Sequence, residues 1–177
     1  MDGYMDTMDA LHSYQSRERK LEILKDAHIG AFSVICLLCY YLIYVGAYLQ
    51  IQGAHALFLL GTGYWFSRIL SAIGVTCFQT AKKDGLVHTF SDQSDKRKVK
   101  IMLSVQFIIC AILFLSVSVI AGALLLLSGT LTLVYYYLKC RKEFEGITGD
   151  TAGWFLTLCE GVIILIIAGA SVLGFIS

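Results

Sequence analysis

The 177-residue chain has no proline, so the breaks between its long apolar runs must be made by other residues. It is also poor in charge: only 15% of residues are Asp, Glu, Lys or Arg, while 57% are hydrophobic and the mean hydropathy is +0.71. Those charges cluster, leaving apolar stretches of the length a bilayer demands, so a soluble globular domain is excluded. A net charge of +1 suggests no nucleic-acid partner. Three aspartates precede the first apolar stretch, the wrong flank for a secretory signal peptide. Six cysteines are present, but five fall inside apolar runs and Cys140 sits at the end of one. Cys36-x-x-Cys39 has no further pair of ligands nearby and reads as small apolar packing, not as a metal site.

What is present begins at the first residues. Asp2, Asp6 and Asp9 stand at i, i+4 and i+7, which places three carboxylates on one face of a helix. Like charges at that spacing cost a few tenths of a kcal/mol per pair, roughly, in an isolated helix. A divalent cation with a phosphate-bearing substrate offsets such repulsion, since Mg²⁺ is held by one or two carboxylates and completes its shell with water and phosphate oxygens. An acidic helix start that opposes the macrodipole accounts for the same residues.

Residues 11–28 carry Tyr14, Leu21, Leu24 and His28 at helical spacing beneath Arg17, Arg19, Lys20 and Lys25. This pattern predicts an amphipathic helix at the membrane surface. Spans follow over about 29–51 and 55–78. The apolar run from Val99 to Leu138 is about 60 Å long as helix, twice what a hydrocarbon core of about 30 Å holds. It therefore reads as two spans, 101–120 and 122–138, hinged around Gly122. A last span covers 152–176. The expected fold is all-α, a single integral-membrane domain over 1–177: a polytopic bundle of about five transmembrane helices preceded by a cytoplasmic amphipathic helix.

Five spans put the N-terminal segment, the loop 79–100 and the loop 139–151 on one side. Thirteen of the 14 Lys and Arg residues lie in these segments. The positive-inside rule makes that side cytoplasmic. Asp2, Asp6, Asp9 and Asp150 then share one compartment, which they would not if 99–138 were a single span.

Arg68 and Glu160 are the full charges inside spans, and each costs several kcal/mol in hydrocarbon unless it pairs or faces a polar cavity. Their depths match to within a turn, so they are expected to pair or to line a cavity open to the cytoplasm. An ion pair that only joins two helices is the alternative. Gly146-Ile-Thr-Gly-Asp150-Thr precedes the last span, where a helix start offers N–H groups to a phosphate, and Thr148 and Asp150 add a hydroxyl and a carboxylate. The same turn is also common capping chemistry.

Three stretches carry a resemblance. Asp2-Gly-Tyr-Met-Asp6-Thr-Met-Asp9-Ala resembles the aspartate signature of the cobalamin synthases (adenosylcobinamide-GDP ribazoletransferases). Leu21-Glu-Ile-Leu-Lys25-Asp26-Ala-His-Ile-Gly30-Ala-Phe32 is similar to the block that follows it in that family. Gly146-Ile-Thr-Gly149-Asp150-Thr-Ala-Gly153, with Glu160 beyond, is similar to the family's Gly-Gly-x-Thr-Gly-Asp-x-x-Gly segment. An arginine in the second span and the loop Ala81-Lys82-Lys83-Asp84-Gly85-Leu86 agree as well. The chain departs from the pattern at Thr157, where a carboxylate is expected, at Ser33, where glycine is usual, and at Ile147, which replaces a glycine. Family members begin with further hydrophobic helices, so the resemblance implies a late start codon, a fragment or a truncation here.

The resemblance implies the joining of α-ribazole, or its 5'-phosphate, to adenosylcobinamide-GDP with release of GMP and with Mg²⁺ as cofactor, at the cytoplasmic face of the cell membrane. It implies metal-binding or catalytic roles for Asp2, Asp6, Asp9 and Asp150. Substrate-binding roles fall to Lys25, Asp26, Arg68, Lys82, Lys83, Thr148, Gly149 and Glu160. The residues by themselves suit two other classes: a membrane phosphotransferase acting on a lipid alcohol, and a small transporter with Arg68 and Glu160 on its path. A noncatalytic assembly protein leaves the aspartates unexplained. The lipid bilayer is an expected partner, and no oligomeric state is legible.

Overall fold

The computed structural model describes residues 1–26, 28–81 and 96–176. Among them the chain forms α1 (Asp2–His12), α2 (Arg17–Ile23), α3 (Ala31–Tyr48), α4 (Ala54–Cys77), α5 (Lys96–Val117), α6 (Val119–Phe144) and α7 (Gly149–Val172). Five of these, α3 to α7, are long and apolar enough to cross a membrane. The protein is an all-helical, multi-pass bundle, as its composition required. Among the described residues no strand forms, and one isolated backbone bridge joins Thr80 to Ile147.

α7 is the hub, packed against α1, α3, α4 and α6. Its Trp154, Phe155, Ile163, Ile164 and Ile167 are buried, and they meet Leu59, Phe66 and Ile69 of α4 and Leu125 and Tyr136 of α6 in one continuous core. α3 lies at the periphery, with Ile35, Leu38, Leu42 and Val45 exposed, as suits a helix that faces lipid.

Span ends shift by a few residues, and two differences from the sequence reading go further. The break in the long apolar run is at Ser118, four residues before Gly122. Ser118 is extended, at φ −156° and ψ 123°, and its side chain accepts from the N–H of Ala121 to cap α6. Gly122 serves packing instead: a Cβ there would lie 2.7 Å from the carbonyl carbon and oxygen of Phe114. Glycine is needed because the two helices nearly touch, not because the backbone bends.

The second difference is over 11–28. No single amphipathic helix forms; α1 ends at His12, Tyr14 turns at φ 52°, and α2 restarts at Arg17. The Ser13 hydroxyl donates to the Ala10 carbonyl at 2.7 Å and draws the chain out of the helix. α2 then docks on α6 through charge. Lys20 donates to Glu143 at 2.6 Å with side chains only 10% and 16% exposed, and Lys139 meets the other oxygen of Glu143 at 3.1 Å. Arg17 pairs with Glu145 at 2.5 Å.

Candidate functional site

The three N-terminal aspartates lie on one helix, as their spacing predicts, but they do not behave alike. Tyr4, Thr7 and Ala10 form the buried face of α1. Asp9 turns toward α3. Its Oδ2 accepts the Gly30 N–H at 2.7 Å and its Oδ1 accepts the Ser33 N–H at 2.9 Å. These are donors at the start of α3, where no intrahelical acceptor exists. Asp9 is thus the cap of α3, supplied from 21 residues upstream, and it fixes α1 against the first long helix. Ser33 completes the junction by donating its hydroxyl to the Gly30 carbonyl at 2.7 Å.

Asp2 and Asp6 are directed otherwise. α1 crosses the beginning of α7 so closely that a Cβ on Gly3 would lie 2.6 Å from the Asp150 carbonyl oxygen and 2.8 Å from its Cα. Asp150 is the second residue of α7, and Thr148 caps that helix through a reciprocal pair: its hydroxyl accepts the Thr151 N–H at 3.2 Å, and its N–H donates to the Thr151 hydroxyl at 2.8 Å. Among the described residues, no atom of another element lies within 4 Å of where a side chain on Gly149 would begin, so the first turn of α7 is open there. The carboxyl of Asp6 is raised above its ordinary value, first by burial and then by the charges of Asp2, Asp150 and Asp9. The charges of Asp2, Asp9 and Asp150 thus all act on Asp6, where α1 meets the start of α7.

These donors are all carboxylate oxygens, the chemistry a hard divalent cation prefers. Among the described residues, no three His, Cys, Asp or Glu groups are arranged to close around one ion. The arrangement fits an ion held by one or two carboxylates, with substrate oxygens filling the rest of the shell.

Arg68 and Glu160 do pair, at 2.5 Å, and Ser67 donates to the same Glu160 oxygen at 3.3 Å. Glu160 lies ten residues along α7 from Asp150, about 15 Å deeper. Together with Met1, Tyr40, Tyr41, Tyr44 and Tyr64 it lines a groove of about 210 Å³, and Met1 also receives a 3.8 Å contact from the Thr157 hydroxyl. The groove therefore runs from the pair toward the start of α1.

The remaining candidates scatter. Asp26 is held by His28, 2.6 Å away, which keeps its carboxyl below its ordinary value, and Lys25 is exposed. Lys82 and Lys83 lie outside the described residues. All six cysteines are free thiols. What sequence reasoning missed is the clamp of Lys20, Glu143 and Lys139, and the capping role of Asp9. A buried lysine on a basic segment leaves no signal in spacing, because its partner is 123 residues away.

Residues 1–168 match the family model described as cobalamin-5-phosphate synthase. A Lachnoclostridium phytofermentans protein named adenosylcobinamide-GDP ribazoletransferase is 41% identical over 98% of this chain and 67% of its own length. Proteins of the same name from Clostridium botulinum and a Geobacillus species are 34% and 32% identical, with 64% and 62% of their lengths covered. The chain thus spans about two thirds of the length of the curated relatives it matches. No solved structure matches it. With the aspartate helix, the Gly-Asp turn and all but the end of the last span inside the matched region, the chain belongs to the cobalamin-5-phosphate synthase family.

Proposed function

We propose that this chain carries the transferase centre that joins α-ribazole, or α-ribazole 5'-phosphate, to adenosylcobinamide-GDP and releases GMP. The observation that carries the reading is the crossing of α1 over the start of α7, which sets Asp2 and Asp6 beside Asp150 at one end of the bundle. In the reaction an oxygen of the incoming ribose forms a bond to the phosphorus that bears the corrinoid arm. The bridging P–O bond of the diphosphate breaks, GMP leaves with that electron pair, and the attacking hydroxyl gives up its proton. Such chemistry asks the protein mainly to align the groups and to offset charge.

One or two of Asp2, Asp6 and Asp150 would hold Mg²⁺, which when bound supplies positive charge against the diphosphate. Asp9 holds α1 in place through the start of α3, and one of the other three carboxylates accepts the hydroxyl proton. The capped and open first turn of α7 presents its N–H groups to a phosphate oxygen. Lys25, Lys82 and Lys83 are proposed phosphate contacts, and Asp26 orients the segment through His28. The groove below, with Arg68 and Glu160, is proposed to receive a polar part of the corrinoid substrate.

The concentration of basic residues at the same end supports a cytoplasmic active face and insertion in the cell membrane. Nothing in the comparisons favours a transferase for lipid alcohols or a transporter. The test is to supply membranes carrying the chain with adenosylcobinamide-GDP, α-ribazole and Mg²⁺, and to measure GMP and the new corrinoid. Both should appear in equal amounts and vanish with Asp150→Asn. Undiminished turnover in that variant would refute the assignment.

A further inference from the structure

Beside the Gly-Asp turn lies a cavity of about 190 Å³ that none of the reaction chemistry above uses. It forms where the chain leaves α4 and where α6 ends. Residues 79–81 pair with the turn: the Ile147 N–H donates to the Gln79 carbonyl and the Ala81 N–H to the Ile147 carbonyl, both at 2.9 Å. Gly146 makes this possible, since a Cβ there would lie 2.5 Å from the Ala81 nitrogen. Glu145, at φ 54°, ends α6 and turns the chain toward that strand-like contact.

The walls have a definite chemistry. Phe78 and Tyr137 present two rings 4.7 Å apart, tilted by 47°, and the buried Cys140, on the same helix as Tyr137, adds to the lining. Polar groups sit around the rim: the Gln79 amide, the guanidinium of Arg141, which donates to the Tyr137 hydroxyl at 3.4 Å, and the Glu145 carboxylate. Glu145 is paired with Arg17, and the Arg141 guanidinium is turned to the edge of the Tyr137 ring, so the rim offers donors beside an aromatic face. Aromatic walls with both donors and acceptors at the edge suit a flat ring with nitrogen atoms on its perimeter.

We propose that this cavity binds the bicyclic base of a nucleoside whose ribose end reaches the first turn of α7. The choice of a nucleoside rests on the transferase reading, in which two bases take part: the benzimidazole of the incoming α-ribazole and the guanine of the departing GMP. The continuity of Gly146 and Ile147 with Thr148, Gly149 and Asp150 is what links base to phosphorus. A base held here has its sugar directed along the turn toward the carboxylates.

The experiment uses the full chain in lipid nanodiscs, with α-ribazole, GMP and ribose 5-phosphate as probes in calorimetric titrations. Tyr137→Leu should weaken one of the two nucleosides about tenfold, the size of a lost stacking contact. Tyr137→Phe, which keeps the ring, should restore most of that loss, and ribose 5-phosphate should be indifferent to both changes. The nucleoside that responds identifies the base. Equal loss for ribose 5-phosphate, or no loss for either nucleoside in a Tyr137→Leu protein that melts like the parent, overturns the proposal. A response to Tyr137 in a chain that never releases GMP would uphold the pocket and sink the transferase reading. GMP release with nucleoside affinity blind to Tyr137 would do the opposite.

Discussion

Gly3 and Asp150 are in backbone contact: the space a Cβ would take on Gly3 is 2.6 Å from the Asp150 carbonyl oxygen. Two acidic motifs separated by most of the chain are thereby held in register by the one residue type that lets the helices meet. Substitution of Gly3 by alanine should push α1 off α7 and lower kcat by about 100-fold, the effect of a misplacement near 1 Å. Gly153→Ala is the matched control, because its Cβ would meet the Gly3 Cα at an ordinary 3.6 Å. GMP release measured for both variants checks the difference.

Asp9 accepts two backbone N–H groups at the start of α3. Asp9→Ala should cost about 1 to 2 kcal/mol of stability, as the loss of a helix cap does. Asp9→Asn keeps one acceptor oxygen and should lose roughly half as much. Thermal unfolding in detergent without added cation reads this directly. Unchanged melting in both variants would return Asp9 to the metal set.

Asp6 is the reverse case. Its carboxyl is raised by burial and by the charges of Asp2, Asp150 and Asp9, so the ionised form is worse placed in the fold than in the unfolded chain. Between the unfolded and folded values the native state binds more protons, and stability falls as pH rises through the raised value. Without cation, melting temperature should therefore decline across that window on the alkaline side of an ordinary aspartate. Asp6→Asn should flatten the decline and raise stability at pH 7 by about 0.3 kcal/mol for each like-charge neighbour removed, while turnover is lost. A pH scan of melting with and without EDTA and Mg²⁺ tests both signs.

Lys20, Glu143 and Lys139 form a nearly buried cluster that ties α2 to the end of α6. Glu143→Gln leaves two lysines facing each other and should destabilise the protein by about 3 kcal/mol, as breaking a buried pair does. The double variant Glu143→Gln with Lys20→Met should recover most of it, since a buried charge is no longer stranded. Chemical or thermal unfolding of the single and double variants decides this.

How much of this was legible in the residues follows from the range of the forces involved. The spans were legible because hydrophobic run length is compared with a fixed bilayer thickness, and the need to divide 99–138 followed from that comparison alone. The place of the division was not, because a serine cap and a glycine contact look alike until one sees which residue faces Phe114. The aspartate stripe and the Gly-Asp turn were legible as patterns of local spacing. Their division of labour was not: Asp9 differs from Asp2 and Asp6 only through Gly30 and Ser33, which the chain brings back after two turns and a second helix.

Composition and periodicity alone settled that this is a helical protein of membrane-length spans, and they predicted that its acidic motifs fall on one side. Both depend on quantities summed along the chain, hydrophobic length and the sidedness of charge. Only the tertiary structure decided that Gly3 lies on Asp150, that Arg68 meets Glu160 and that Lys20 is buried against Glu143. Those contacts depend on which helices pack together, a choice made by the shape of the whole core rather than by any segment of it.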